Sequence, residues 1–144
     1  MHLHHILIPL DFSPNAERAL DYAIELAQRF QARLTLLHVV HLPPIADVNL
    51  AAYIGEVEAG AQQEMETYQK RVQEAGVAET IRIVHGVPFQ EIIDIAKDIQ
   101  ADLIIMGTHG RTGVPHLLLG SVAERVVRLA PCPVLVTRRQ ETAA

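Results

Sequence analysis

Three glycines and a serine at fixed spacing mark the stretch of this chain whose residue types suit a phosphate. Leu103, Ile104, Ile105 and Met106 form a short run that is apolar on both faces, as a buried strand is. Gly107 breaks the run, and Gly110 follows three residues further on. After nine intervening residues come Gly120 and Ser121, which open the helical pattern Val122, Ala123, Glu124, Arg125, Val126, Val127. The order is strand, glycine-punctuated loop, helix start. Glycine lets a ligand approach the backbone with no Cβ in the way and permits φ > 0. Ser121 is of a type favoured at a helix N-cap. The N–H groups of the first turn, those of Val122 and Ala123 among them, have no intrahelical acceptor. With the helix dipole they form a site for an anion.

A second candidate is Asp11, at the end of the first apolar run, Ile6-Leu7-Ile8. A carboxylate there suits a ribose hydroxyl, as acidic residues do in other nucleotide folds. Asp11-Phe12-Ser13-Pro14 also reads as a turn capped by its own aspartate, and both readings stand. Within the glycine loop lie His109, Arg111, Thr112 and His116. Arg111 is the strongest of these, because a guanidinium matches phosphate oxygens; the others read as a solvated loop. His2, His4 and His5 invite a metal reading, but strand alternation places His2 and His4 on one side and His5 on the other. No acidic or cysteine ligand is adjacent in sequence, so no metal site is assigned. Cys132, between two prolines, reads as a small buried residue at a strand start.

Several kinds of catalytic machinery are missing. There is no Gly-x4-Gly-Lys-Ser/Thr run, hence no lysine placed to neutralise β- and γ-phosphates. No aspartate is evidently dedicated to a magnesium ion, and no residue is evidently placed to orient an attacking water. No catalytic residue is assigned. The expectation is a protein that is not an enzyme, or at most a weak ATPase.

The elements that must hold these residues follow from periodicity. Residues 4–10 and 33–40 read as strands, each a near-continuous apolar run. Between them Ser13 and Pro14 supply an N-cap and a first-turn proline. Ala16, Leu20, Ala23, Ile24 and Ala27 form a helical stripe to about Phe30. Residues 41–52, with Pro43 and Pro44, read as a connection; 53–75 as a polar helix with Glu56, Glu58, Glu64, Glu66, Lys70 and Arg71 outward; Gly76 as its C′ residue. Residues 80–85 alternate more than the other strands and suit a sheet edge. Pro88 opens a helix to Ile99, with Ile92, Ile93, Ile95, Ala96 and Ile99 inward. The fourth strand, a helix over 121–130 and a strand over 133–138 complete the chain. Strict β-α alternation predicts an α/β fold: one Rossmann-like domain over residues 1–144 with a five-stranded parallel, doubly wound sheet in the order 3-2-1-4-5. In such a sheet ligands bind at the carboxyl ends of strands where the order reverses, here between strands one and four. Asp11 and Gly107 both lie at that point.

Composition narrows the class. The chain has 144 residues, 49% of them apolar and 20% charged, enough for a full core, and aromatics at 4% leave that core aliphatic. A net charge of −5 argues against a nucleic-acid partner. No apolar run reaches membrane-spanning length. The first residues, Met1 to His5, lack a secretion-signal layout, and one cysteine makes no internal disulfide. A cytoplasmic protein is expected.

The pattern Gly107-x2-Gly110-x9-Gly120-Ser121 resembles the nucleotide-binding motif of the ATP-binding branch of the universal stress protein family. The resemblance runs from Ile6–Ser13 to Pro131–Val136. It implies a stress-response switch or adaptor that binds ATP with Mg²⁺ or Mn²⁺. It implies ribose at Asp11, whose Pro9-x-Asp11 setting matches the family, and adenine on the backbone of Val39 at the end of strand two. Met106 would line the pocket, a role that ordinary core packing fills as well. Gly107, Gly110, Arg111, Gly120, Ser121, Val122 and Ala123 would take ribose and phosphates. It further implies a homodimer through the C-terminal edge strand, Val134 to Thr137, and a protein client that the sequence does not name. Other readings are an adaptor with no nucleotide requirement, an AMP or cyclic AMP sensor, and a nucleotidyl-transferring enzyme of related fold.

Overall fold

A computed structural model describes residues 2–41, 50–108 and 119–138. The element order is β1(His5–Pro9), α1(Pro14–Phe30), β2(Arg33–Val40), α2(Leu50–Glu74), β3(Glu79–His85), α3(Pro88–Asp98), β4(Leu103–Gly107), α4(Ser121–Leu129) and β5(Val134–Thr137). The five strands form one parallel sheet in the order β3-β2-β1-β4-β5, as expected.

Strand alternation divides the core in two. Ile6 and Ile8 of β1, Leu34 and Leu36 of β2 and Ile105 of β4 face α1 and α2, meeting Ala16, Ala19, Leu20, Ala23 and Ala27 and, from α2, Met65, Tyr68 and Val72. Leu7, Leu37, Ile104 and Met106 face the other way, onto Ile92, Ile95 and Ala96 of α3 and Ala123 and Val126 of α4. Ile6, Leu7 and Ile8 are each 0% exposed, because β1 is the middle strand and both its faces are covered. β3 is an edge strand, and its Ile81 and Ile83 are only half-buried.

The helix ends follow their local chemistry. Ser13 is the N-cap of α1, its Oγ accepting from the Ala16 N–H at 3.2 Å, with Pro14 at the first helical position. Ser13→Ala should therefore lower stability by about 1 kcal/mol, read as an earlier urea midpoint; an unchanged midpoint would mean the cap is dispensable. Gly76 follows α2 at φ +77, where the N–H of Gly76 bonds the Gln73 carbonyl and that of Val77 the Val72 carbonyl. That is the paired closure expected of a C′ glycine.

Several element ends differ from expectation by one residue, and two further differences have a physical reason. α2 starts at Leu50, not at 53, because Leu50, Ala51 and Ala52 are all strong helix formers. α4 has Gly120 as its N-cap, with Ser121 at the first helical position. Gly120 is extended (φ −69, ψ 165), and its carbonyl takes the first intrahelical bond, from the Glu124 N–H at 2.9 Å. Ser121 is thus one residue too late to cap.

Candidate functional site

The chain leaves β1 toward β2 and β3 on one side and returns through β4 to β5 on the other. In an open α/β sheet the ligand crevice lies where those paths part, here at the carboxyl ends of β1 and β4. The N-terminal turns of α1 and α4 begin at the same end, so two helix dipoles present their positive ends there.

From the β1 side come Pro9, the last residue of the strand, and Asp11 two residues on, both half-buried. Asp11 Oδ1 accepts the Ser13 N–H at 3.0 Å, so this carboxylate does shape its own turn. Phe12 between them has φ 66, a left-handed conformation that costs a non-glycine residue about 1–2 kcal/mol. Non-glycine residues are held in that region mainly where surrounding structure forces it, often at functional sites.

From the β4 side come Met106 and Gly107. Met106 is buried in the core shared with α3 and α4. Gly107 lies directly against α1: a Cβ built on it would stand 2.9 Å from Asn15 Cβ and 3.1 Å from Asn15 C and O. Thr108 follows, itself buried, its N–H donating to the Thr137 carbonyl at 3.0 Å. The Thr108 carbonyl accepts the Gly120 N–H at 2.6 Å. Residues 108 and 120 are thereby fastened together, and the start of α4 is fixed beside the end of β4. No side chain caps α4 among the described residues. The N–H groups of Ser121, Val122 and Ala123 form its first turn, with Ser121 exposed, Val122 half-buried and Ala123 buried. Gly110 and Arg111, with His109, Thr112 and His116, lie outside the described residues.

Val39, at the end of β2, pairs with Val84 of β3. Both pack half-buried against the α3/α4 core together with Phe89, Leu119 and Val122. The Arg125 guanidinium sits 4.8 Å from the centroid of the Phe89 ring, joining α4 to the first turn of α3 across this wall. The structure thus brings Pro9, Asp11, Gly107, Gly120, Ser121 and Val122 to one end of the sheet, with Val39 one strand away.

Sequence reasoning missed several features here. One is the Asn15 contact with Gly107, which only the packing of α1 on β4 reveals. Another is the ring ladder His38–Phe12–Tyr68: Phe12 lies 4.2 Å from His38 and 6.1 Å from Tyr68, centroid to centroid, with interplanar angles of 23° and 16°. The Tyr68 hydroxyl donates to Glu17 Oε1 at 3.3 Å, and burial, with the Glu17 charge beside it, pushes the phenol up to about 12.

At the opposite end of the sheet, the His2 and His4 rings stack at 5.6 Å, on one side as alternation requires. His5 Nε2 instead pairs with Thr35 Oγ1 at 2.6 Å. Among the described residues no three His, Cys, Asp or Glu side chains gather to hold a metal ion. Cys132 is half-buried, and burial raises its thiol pKa.

Comparison with known proteins fits this architecture. The model of the universal stress protein family matches residues 2–138. This chain belongs to that family. Among curated members, universal stress protein MJ0531 of Methanocaldococcus jannaschii is 38% identical over 93% of this chain and 81% of its own length. The solved structure of MJ0577, a universal stress protein of the same organism, superposes with a TM-score of 0.91 at 35% identity, covering 99% of this chain and 100% of that one. A universal stress protein crystallised in complex with cAMP superposes at a TM-score of 0.75, covering 96% of this chain and 98% of its own. At 23% identity that last likeness is one of fold.

Proposed function

We propose that this universal stress protein binds ATP at the carboxyl ends of β1 and β4 and acts as a nucleotide-dependent switch or adaptor in a stress response. The observation that carries the reading is the start of α4. Gly120 is tied to Thr108, and the first-turn N–H groups of a nine-residue helix begin beside the β4 glycine with no described side chain capping them. Those groups and the dipole suit the phosphates. Asp11 stands where a ribose hydroxyl would be bonded, and Val39 offers strand-end backbone to the adenine. Gly107, Ser121, Val122 and Ala123 complete the cradle, with Gly110 and Arg111 from the loop. Pro9 and Met106 back it. A family member of the same fold holds cAMP, so phosphate number is left to be measured.

Mg²⁺ or Mn²⁺ would arrive on the triphosphate, held mainly by phosphate oxygens. Binding of that kind needs few protein ligands, and the described residues offer no dedicated carboxylate cluster. Without a lysine on the β- and γ-phosphates or a placed base, any hydrolysis is slow. A homodimer through β5 belongs to the same reading. β5 ends the sheet, and its Val134, Leu135 and Val136 are half-buried. Val127 and Leu129 of the adjoining α4 are 46% and 52% exposed. An apolar sheet edge of this kind is stabilised by pairing. A nucleotide-dependent protein client would complete the switch, in the cytoplasm.

Calorimetric titration of nucleotide-stripped protein with ATP, ADP, AMP, cyclic AMP and GTP, with and without Mg²⁺, tests this. ATP should bind at micromolar strength, GTP should not, and Gly120→Val should weaken ATP by more than about tenfold, equivalent to roughly 1.4 kcal/mol. If no adenine nucleotide binds, the reading falls and an adaptor without nucleotide takes its place; if AMP or cyclic AMP binds more tightly than ATP, the site is a mononucleotide sensor. Sedimentation of the same samples should give twice the monomer mass of 15.9 kDa; a monomer would remove the β5 dimer.

A further inference from the structure

The β1–β2 ladder stops at Pro9, opposite Leu37. The chain beyond it must be held by other means before it reaches Asp11. Two bonds do so. The Leu10 N–H donates to the Leu37 carbonyl at 2.7 Å, and the Leu10 carbonyl accepts from His38 Nδ1 at the same distance. A carbonyl only accepts, so the imidazole carries its proton on Nδ1. The same imidazole stacks on the Phe12 ring at 4.2 Å. His38 therefore grips both residues that flank Asp11, the one before through its main chain and the one after through its side chain.

The grip is braced from behind. Tyr68 of α2 continues the stack on Phe12, and its hydroxyl bonds Glu17 of α1. Phe12 is held left-handed at φ 66 within that stack, which sets the direction in which the chain leaves Asp11 toward the α1 cap. β2, α1 and α2 thus all converge on the placement of one carboxylate.

We propose that His38 is a positioning residue for Asp11, and that it sets this protein's preference for an intact ribose. This rests on the nucleotide reading given above. A carboxylate discriminates between a hydroxyl and its absence only if held at hydrogen-bond distance, and a hydrogen bond to a charged group is worth about tenfold or more in affinity. His38 touches no nucleotide in this proposal. It acts through the main chain of Leu10 and the ring of Phe12.

The test is the affinity of the full-length protein for ATP, 2′-deoxy-ATP and 3′-deoxy-ATP by calorimetry, with Asp11→Asn as the reference for a lost ribose contact. Wild type should prefer ATP over at least one deoxy analogue by about tenfold. His38→Phe keeps a ring for Phe12 but has no donor for the Leu10 carbonyl. It should bring ATP down to the level of that analogue, as Asp11→Asn does, while the analogue itself changes less than about threefold. His38→Asn, whose amide can replace the Nδ1 donor, should restore part of the preference. If His38→Phe fails to fold, His38→Leu carries the same comparison. A merely structural role would weaken all three nucleotides by one factor, and that result, or a His38→Phe that keeps the wild-type preference, overturns the proposal while nucleotide binding stands. A wild type that binds ATP with no ribose preference overturns it equally. A wild type that binds no adenine nucleotide overturns the nucleotide reading and this inference together.

Discussion

Truncating Ile8 to alanine should cost about 4 kcal/mol, a large share of the roughly 5–15 kcal/mol by which a domain of this kind is stable. Ile8 is fully buried on the middle strand, against Leu20, Leu36 and the other residues of the α1/α2 core. Leu7→Ala should cost a similar amount for the opposite reason of side: its neighbours are Leu37, Ile104 and the α3 and α4 residues. Adjacent residues, facing opposite layers, are equally intolerant because β1 has no solvent face. Ile83 of β3 supplies the contrast. It is half-buried on an edge strand, can relax toward solvent, and should lose about half as much, since both the transfer and the cavity contributions shrink. Urea unfolding followed by circular dichroism at 222 nm reads all three, at matched protein concentration because a dimer makes stability concentration-dependent. Equal losses at positions 8 and 83 would contradict the placement of β1 at the centre and β3 at the edge.

That contrast was legible in the sequence, and the reason is physical. Ile6-Leu7-Ile8 and Leu103 to Met106 are apolar at every position, which only a strand covered on both faces requires, whereas residues 80–85 alternate. Ser13-Pro14 and Gly76 announced helix ends because their local chemistry alone decides those conformations. The universal stress protein pattern marked the glycines for the same reason of spacing.

What the sequence did not disclose depends on contacts between distant segments. Ser121 has the chemistry of a cap, yet the cap falls on Gly120, because the Gly120–Thr108 bond fixes where the helix begins. Nothing in Phe12 suggests a left-handed backbone, which phenylalanine disfavours; the ring stack with His38 and Tyr68, brought from β2 and α2, accompanies it. The helix start at Leu50 was masked by two prolines that drew the connection too long. The candidate residues Gly110 and Arg111 lie outside the described part of the chain, so the loop's share in the site rests on the glycine spacing.

Gly107 is where packing and ligand compete to explain one residue, and its substitution should separate them. Gly107→Ala places a Cβ 2.9 Å from Asn15 Cβ and 3.1 Å from the Asn15 backbone. Neither neighbour is the loose end of a flexible side chain. Asn15 belongs to the first turn of α1, held by the Ser13 cap and by buried Ala16. The strand cannot retreat, since Gly107 is paired to Thr137 and Thr108 is bonded on both sides. Overpacking of this kind costs about 1–3 kcal/mol, and Gly107→Val belongs at the upper end. The melting temperature should fall by roughly 5–10 °C for a loss near 2 kcal/mol. Adding Asn15→Gly removes the closest atom but leaves the backbone contacts. The double variant should therefore recover about half of the loss, a coupling that two independent sites would not show. If Gly107 is glycine only to admit a ligand, Gly107→Ala will melt with the wild type and lose nucleotide affinity alone. If the contact with Asn15 is the reason, stability falls with no nucleotide present. In that case the β4 glycine serves to seat α1, and with it the Asp11 turn that precedes α1, against β4.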